Sequence, residues 1–244
     1  MPDPVPNTNA VRRLIEAATI AAVRQAVASG SADADAAISA AEYANAGRPA
    51  EARAALEAVE ASSDLSVLFL GFQFYFRSGD LVAAERWTRR RLVLAAEGSA
   101  DQARAHTNLG LVLMAAGGAT LDARQHLEAA VAIDERLGHL EGVTRDLGNL
   151  ANWYEAAGKV PEAEAMNHRA LAMARSIGSD TLASGRLANL GDLAASRGDA
   201  QLAADFYREA IALFRKTGQQ KWIAEYEGKL AKASKRDDSL EQGG

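Results

Sequence analysis

Cysteine is missing from this chain of 244 residues, which also has only five prolines. The absence of cysteine excludes disulfides, thiol catalysis and the metal sites that need cysteine ligands. No run of β-branched residues alternates with polar ones, so the pattern predicts no strands. The formal net charge is −5, because 27 lysines and arginines stand against 32 acidic residues, and this disfavours a general nucleic-acid binder. The composition therefore predicts an all-α protein.

Long apolar segments are also missing. The longest apolar stretch, residues 65–76, is interrupted by Ser66 and Gln73 and is too short to span a bilayer. Residues 1–7 (MPDPVPN) have neither the basic region nor the apolar region of a signal peptide. We therefore expect a cytoplasmic protein that does not insert into a membrane.

The sequence lacks the motifs of the common enzyme classes. The P-loop pattern GxxxxGK[ST], the zinc-protease pattern HExxH and the nucleophile pattern GxSxG do not occur. The four histidines, His106, His126, His139 and His168, do not have the spacing of metal ligands. We therefore expect no catalytic residue, no metal and no cofactor.

What the chain does contain is a repeat with a period of forty residues. Four registers of glycine, alanine and leucine share this step. They are Gly98, Gly138, Gly178 and Gly218; Gly118, Gly158 and Gly198; Ala83, Ala123, Ala163 and Ala203; and Leu70, Leu150, Leu190 and Leu230, with Leu109 one residue out of phase between Leu70 and Leu150. Coincident registers at one long period indicate a tandem array of stacked supersecondary units.

The structure of one unit can be predicted from its turn residues. Apolar positions in residues 144–157 follow one face of a helix, and Gly158 suits the left-handed turn after it. Pro161 suits the first turn of a second helix. Gly178 ends that helix, and Ser179 can cap the next one. Each unit is therefore predicted to be two antiparallel helices, each roughly 17 residues long and so within the usual range for globular helices.

The repeats divide the chain into consecutive segments. Residues 9–236 are predicted to form a single solenoid between two disordered tails. The predicted segments are a tail 1–8, a helix 9–29, repeats at about 31–61, 63–98, 100–138, 140–178 and 180–218, a capping helix 219–236 and a tail 237–244. The pair in 31–61 has mostly alanine faces, so it buries little apolar area and should be the least stable repeat.

The order of residues in each unit resembles the tetratricopeptide repeat (TPR). A leucine and a small residue precede an aromatic residue, a turn glycine and the alanines of a second helix. In one unit the matching residues are Leu150, Ala151, Tyr154, Gly158, Ala163 and Ala170. The period exceeds the usual 34 residues and is similar to that of Pins-type adaptors, kinesin light chains and bacterial TPR regulators. The resemblance implies a right-handed superhelical α-solenoid of antiparallel helix pairs.

The resemblance also implies a peptide-binding groove lined by the first helix of each pair. Asn108, Asn149 and Asn189 recur at one position of the repeat, and asparagine both donates and accepts hydrogen bonds. Such a ladder suits a peptide backbone, although ordinary polar residues on a helix face remain the alternative. The expected groove residues are Arg104, Asn108, Arg145, Asn149, Asn152, Glu155, Asn189, Asp192, Lys229 and Lys232.

A second candidate contact is the aromatic helix at residues 65–76, which is apolar on every side. A helix that is apolar all round is either buried all round or has a partner. We expect Phe69, Phe72 and Phe76 on its groove side. Either the helix at 9–29 folds against them, or an apolar ligand docks there, or the local packing is simply tighter.

These features predict a non-catalytic protein–protein interaction scaffold, or adaptor, that binds a peptide segment or a partner helix in its groove. Two alternatives stay open, namely a self-associating homo-oligomeric scaffold and a regulatory domain of a larger signalling system. No nucleic-acid or membrane partner is expected.

Overall fold

The computed structural model describes residues 17–28, 30–31 and 33–241. The described part of the chain folds as α-helices joined by short turns and has no strand. The prediction of an all-α protein is therefore confirmed. The predicted tail at 1–8, the start of the predicted helix at 9–29 and residues 242–244 lie outside the described residues.

The chain divides into two compact units, Met1–Gly117 and Gly118–Gly244, referred to below as unit 1 and unit 2. In unit 1, α2 packs against α3 and α4 against α5, as successive helix pairs. The helices of unit 1 are α1 (Ala17–Ala28), α2 (Ala34–Asn45), α3 (Pro49–Glu57), α4 (Leu65–Ser78), α5 (Leu81–Leu94) and α6 (Ala100–Gly117).

The first helix of unit 1 packs differently from a repeat helix. It contacts α2 and α4, which are the first helices of the two pairs. Val23 on α1 is fully buried, and Ile20 packs against the same apolar cluster. Phe72 belongs to this cluster, so a helix from the predicted 9–29 segment folds against the aromatic helix α4.

Unit 2 contains the clearest repeats. α8 packs against α9, α10 against α11, and the unpaired helix α12 packs against α11. This is the α-solenoid of paired helices that the forty-residue period predicts. The helices of unit 2 are α7 (Leu121–Leu137), α8 (Leu140–Ala156), α9 (Val160–Ser176), α10 (Asp180–Ser196), α11 (Ala200–Lys216) and α12 (Gln220–Glu241).

The turns of unit 2 follow the predicted chemistry. Gly158 and Gly178 have φ values of 70° and 68°, a left-handed conformation that costs glycine little. Pro161 lies in the first turn of α9. The Ser179 hydroxyl caps α10 by accepting from the Leu182 N–H at 3.4 Å. Local sequence therefore determines where these helices begin and end.

Close packing between paired helices depends on small residues. Ala163 and Ala203, from one register of the repeat, are fully buried. A Cβ atom on Gly191 would lie 2.5 Å from Cε1 of Tyr207. The ring of Tyr207 on α11 therefore occupies the space that a side chain at 191 would need on α10.

Two predicted boundaries differ from the structure. α12 continues to Glu241 instead of ending at residue 236, because residues 236–241 (RDDSLE) are mostly polar but contain no glycine or proline to stop a helix. The repeat at 31–61 is predicted to have its second helix over residues 49–61, but α3 ends at Glu57. The chain after it continues in tight turns in which Val59 N–H donates to the Leu56 carbonyl at 3.0 Å.

Candidate functional site

Unit 2 has a polar surface along its first helices α8, α10 and α12. We call this surface the first-helix face and define it by Asn152, Glu155, Arg186, Asn189, Asp192 and Lys229. Arg186, Asn189 and Asp192 lie on successive turns of α10. Each of the three contacts a residue on an adjacent first helix, so α10 is the central helix of this face.

A hydrogen bond between two amide side chains lies at the centre of this face. Nδ2 of Asn189 donates to Oδ1 of Asn152 at 3.1 Å, linking α10 to α8. We call this contact the amide bridge. Each side chain has two N–H donors and a carbonyl oxygen with two lone pairs. The bridge uses one donor of Asn189 and one acceptor position of Asn152, so both amides keep groups for a ligand.

The acidic end of the face is organised by Asp192. Its carboxylate accepts from the Tyr207 hydroxyl at 2.8 Å, from Lys229 Nζ at 2.9 and 2.8 Å, and from the Tyr226 hydroxyl at 3.3 Å. Lys229 also lies 3.4 Å from Glu225. Lys229, predicted as a ligand-binding cation, is therefore already paired within the protein.

The titration behaviour of this cluster follows from burial and from the charge of Asp192. Burial raises the pKa of Tyr226 to about 12, and the charge of Asp192 acts in the same direction. Burial and the hydrogen bond to Asp192 raise the pKa of Tyr207 as well. Burial opposes the charge on Lys229, but the hydrogen bond to Asp192 and the charges of Asp192, Tyr226 and Glu225 together raise the Lys229 pKa. At neutral pH the tyrosines are therefore neutral and Lys229 is charged.

Glu155 lies one turn after Asn152 on α8 and is exposed. Partial burial of its carboxyl group and the nearby charge of Asp192 raise its pKa, while Lys229 acts in the opposite direction. Among the described residues no ion pair to Glu155 is formed, in contrast to Asp192. Glu155 is thus an acid that a basic group of a ligand can reach.

Arg186 is the residue of this face that sequence reasoning missed. A Cβ atom on Gly148 of α8 would lie 1.8 Å from Nη1 of Arg186 and 2.4 Å from its Cζ. Nη1 is buried and has no hydrogen-bond partner in the described part of the chain. Burial lowers the pKa of the guanidinium, and Tyr226 acts against this. Two sequence signals were present, namely a glycine in the middle of a helix and an arginine one turn before Asn189.

The remaining predicted residues of unit 2 lie near this centre. Asn149 is half-buried on α8, one turn before Asn152, and Arg145 is exposed one further turn back. Lys232 is exposed on α12. Together with Tyr207 and Lys229, Lys232 lines a cavity of about 470 Å³.

The two predicted groove residues of unit 1 have different surroundings. Arg104 on α6 is exposed, and its Nη1 lies 3.6 Å from Asp101 Oδ1. Asn108 is buried, and its Nδ2 has no hydrogen-bond partner among the described residues. Asn149 and Asn189, by contrast, are half-buried. A role for the three asparagines as one ladder stays a prediction.

The aromatic residues of α4 form a stack within unit 1. The ring centroids of Phe69 and Phe72 are 5.9 Å apart, and those of Phe72 and Phe76 are 5.4 Å apart. Phe72 is buried and the other two rings are half-buried. The guanidinium of Arg91 lies 4.9 Å from the Phe69 centroid. An apolar ligand at these rings stays a prediction.

Metal-ligand groups and membrane-spanning helices are both absent from the described residues. Within them, no three histidine or acidic side chains are grouped closely enough to hold a metal ion. None of their helices combines the length and the apolar character that crossing a bilayer requires.

Comparison with protein families gives two matches to one family model. The family model described as tetratricopeptide repeat matches residues 101–176 and, in an overlapping second match, residues 147–216. These ranges include the whole of α8 and α10, and with them the amide bridge and Arg186. No curated protein matches the chain.

Solved structures with similar folds include a protein from Podosopora anserina described as a kinesin light chain with nearly identical TPR-like repeats. It has 21% sequence identity and a TM-score of 0.60, covering 75% of this chain and 95% of that one. The apo form of RapI has 12% identity and a TM-score of 0.68, covering 90% of this chain and 66% of that one.

A Rap protein complexed with Competence and Sporulation Factor is similar as well. It has 13% identity and a TM-score of 0.61, covering 89% of this chain and 70% of that one. At such low identities these likenesses show the fold alone.

Proposed function

Because this chain is a tetratricopeptide-repeat protein, we propose that it is a protein-interaction scaffold whose first-helix face in unit 2 binds an extended peptide segment. The observation that carries the proposal is the amide bridge between Asn152 and Asn189, 3.1 Å long and flanked by charged side chains without ion-pair partners among the described residues. Amides hold a peptide backbone through its N–H and C=O groups, which every residue except proline carries.

The arrangement of charge supports a peptide more than a small apolar ligand. Arg186 lies on one side of the amide bridge and Glu155 on the other, each one turn away along its helix. A ligand that contacts all three would present an acidic group, a stretch of backbone and a basic group in order. Asp192 contributes little net charge to this pattern, because Lys229 neutralises it.

One solved structure with a similar fold supports a binding role for this chain. A Rap protein with the same fold has been solved in complex with Competence and Sporulation Factor. We infer a comparable ligand-binding role for this chain, with the residues of its own first-helix face as the contacts. The alternative of self-association would place a segment of a second copy on the same face.

The test begins with selection of peptides from a random twelve-residue display library against the full chain. Selected peptides are then titrated by calorimetry against a triple variant, Asn149→Ala, Asn152→Ala and Asn189→Ala. One hydrogen bond contributes about 0.5–1.5 kcal/mol net, so each single change should weaken binding about threefold to tenfold and the triple change should nearly abolish it. The fold should change little, because surface substitutions usually stay within about 0.5 kcal/mol.

The matched control changes three exposed polar residues of the second helices α9 and α11, namely Glu162→Ala, Gln201→Ala and Arg208→Ala. This variant should bind like the unmodified chain. Normal binding by the asparagine triple variant would refute the assignment to the first-helix face. Light scattering beside the titration decides the alternative, since a dimer that the triple variant disrupts would favour self-association.

A further inference from the structure

Arg186 carries a positive charge that nothing in the described part of unit 2 neutralises. Its side chain is half-buried, its Nη1 atom is buried without an acceptor, and no described carboxylate pairs with it. The other partly buried cation of this face, Lys229, is paired with Asp192 at 2.8 Å. Lys229 therefore has an acidic partner within the protein, whereas Arg186 has none among the described residues.

An unpaired guanidinium in such a place has a free-energy cost. Removing a charge from water is unfavourable unless an opposite charge or hydrogen-bond acceptors replace the water. A structural role would normally come with such a partner. The missing partner is therefore expected in a ligand, because an anion bound there would supply both the charge and the acceptors.

Because Gly148 has no side chain, the guanidinium of Arg186 can occupy the space beside α8. Glycine in a helix interior is unfavourable relative to alanine, and tight packing is one reason for its presence. Here the reason is visible, since even one carbon atom at this point would overlap the guanidinium of Arg186. The pair keeps the cationic group against α8, close to the amide bridge.

We propose that Arg186, seated against Gly148, is a binding subsite for a carboxylate of the peptide ligand, supplied by an aspartate or glutamate side chain. This inference rests on the proposed peptide-binding function of the first-helix face. Asn189 follows Arg186 three positions later on α10, a rise of about 4.5 Å. An extended peptide advances about 3.3 Å per residue, so the acidic residue lies one or two positions from the backbone held at the amide bridge.

The charge of Glu155 also favours a ligand whose acidic group lies at the Arg186 end of the face. It lies on the opposite side of the amide bridge from Arg186 and carries no ion pair within the described residues. An acidic residue of the ligand placed there would meet the carboxylate of Glu155, which repels it. A carboxylate is therefore directed to the Arg186 end.

The first test uses small probes on the full chain labelled with ¹³C-arginine. The Cδ–Hδ signal of Arg186 is assigned by its loss in Arg186→Met. N-acetylglutamate methylamide should shift this signal saturably with a millimolar dissociation constant, whereas the neutral N-acetylglutamine methylamide should not shift it. Arg208, exposed on α11 and paired with Asp205 at 2.5 Å, supplies the internal control signal.

Two further probes distinguish the source of the anion. N-acetylalanine carries its carboxylate at the chain terminus, and inorganic phosphate is a free anion. Both should shift the Arg186 signal at least tenfold more weakly than the glutamate probe. An equal response to N-acetylalanine or to phosphate would overturn the assignment to an acidic side chain. No saturable shift with any probe would overturn the subsite altogether.

The second test measures whether the unpaired charge of Arg186 lowers the thermal stability of the chain. Arg186→Met keeps the apolar volume and removes the charge, so it should raise the thermal midpoint by about 2–4 °C. Arg208→Met, on the exposed control position, should leave the midpoint unchanged. A lower midpoint for Arg186→Met would mean that the guanidinium is structural and would overturn the proposal.

Gly148→Ala tests whether Gly148 positions the guanidinium of Arg186, and it leaves the charge of Arg186 in place. The added methyl group displaces the end of a flexible side chain, so the helix should stay folded. Binding of the glutamate probe should fall at least tenfold, and unchanged binding would show that Gly148 does not position Arg186. If library peptides bind Arg186→Met normally but fail on the asparagine triple variant, the subsite is wrong while the peptide-binding function stands.

Discussion

Lys229 on α12 donates from Nζ to both carboxylate oxygens of Asp192 on α10, at 2.9 and 2.8 Å. Tyr207 on α11 donates to the same carboxylate at 2.8 Å. One acidic side chain thus joins three helices of unit 2, including the unpaired α12. Since repeat arrays are stabilised by contacts between neighbours, this cluster should determine how firmly α12 is held.

Replacing Asp192 with alanine should therefore destabilise unit 2. The change leaves the Tyr207 hydroxyl and the Lys229 ammonium without their acceptor, which we expect to lower the free energy of unfolding by about 1–3 kcal/mol. Urea unfolding followed by circular dichroism measures this effect. Asp205→Ala is the matched control, because Asp205 is exposed and pairs only locally with Arg208. A loss of similar size in both variants would contradict a special role for Asp192.

The same cluster predicts that stability falls in strongly alkaline solution. Burial raises the pKa of Tyr226 to about 12 in the folded chain, against about 10 for an unfolded tyrosine. Between these values the unfolded state has lost the proton that the folded state keeps, so the free energy of unfolding decreases as pH rises. Thermal melts at pH 9 and pH 11 test this. Tyr226→Phe should show a smaller decrease between the two, and an equal decrease would contradict the assignment.

Two glycines of α10 should respond to alanine in opposite directions. A Cβ atom on Gly191 would lie 2.5 Å from the Tyr207 ring, whereas one on Gly185 would have no atom within 4 Å. Gly191→Ala should therefore cost about 1–3 kcal/mol through overpacking. Gly185→Ala should stabilise the helix by about 0.5–1 kcal/mol. Denaturation midpoints of the two variants check both signs, and destabilisation by Gly185→Ala would contradict the open surroundings seen there.

Leucines in the two units should also differ in their contribution to stability. Leu190 on α10 is 1% exposed and lies in a cluster with aromatic residues, so Leu190→Ala should cost about 2–5 kcal/mol. Leu56 is fully buried on the short helix α3, but its surroundings are rich in small alanines such as Ala52. Leu56→Ala should cost clearly less. Hydrogen exchange should show residues 31–61 opening before residues 140–216, and uniform protection would contradict a nearest-neighbour array.

Much of the fold could be predicted because its signals are local. Gly158, Pro161 and Ser179 each act within one turn of the chain, and the structure confirms all three. The end of α12 could not be predicted in the same way, because polarity alone does not stop a helix. The burial of Asn108 was also missed, since the repeat position of a residue does not say how its own neighbours cover it.

The candidate site was predicted only in part. The resemblance assigned Asn152 and Asn189 to one predicted groove, and the structure joins them by a hydrogen bond. The same register offered Lys229 as a free cation, but Asp192 pairs with it across two helices. Arg186 follows Arg104 and Arg145 at steps of 41 residues but was not among the predicted groove residues.

The sequence by itself determined the helices, their turns and the forty-residue step, because hydrophobic periodicity and turn chemistry act over a few neighbouring residues. Only the tertiary structure decided which charges are paired. Lys229 and Asp192 are 37 positions apart in the chain, and the same stacking that brings them together leaves Arg186 against Gly148 without an acid. Such pairings depend on side-chain positions across stacked helices, at distances of a few ångströms that no local pattern encodes.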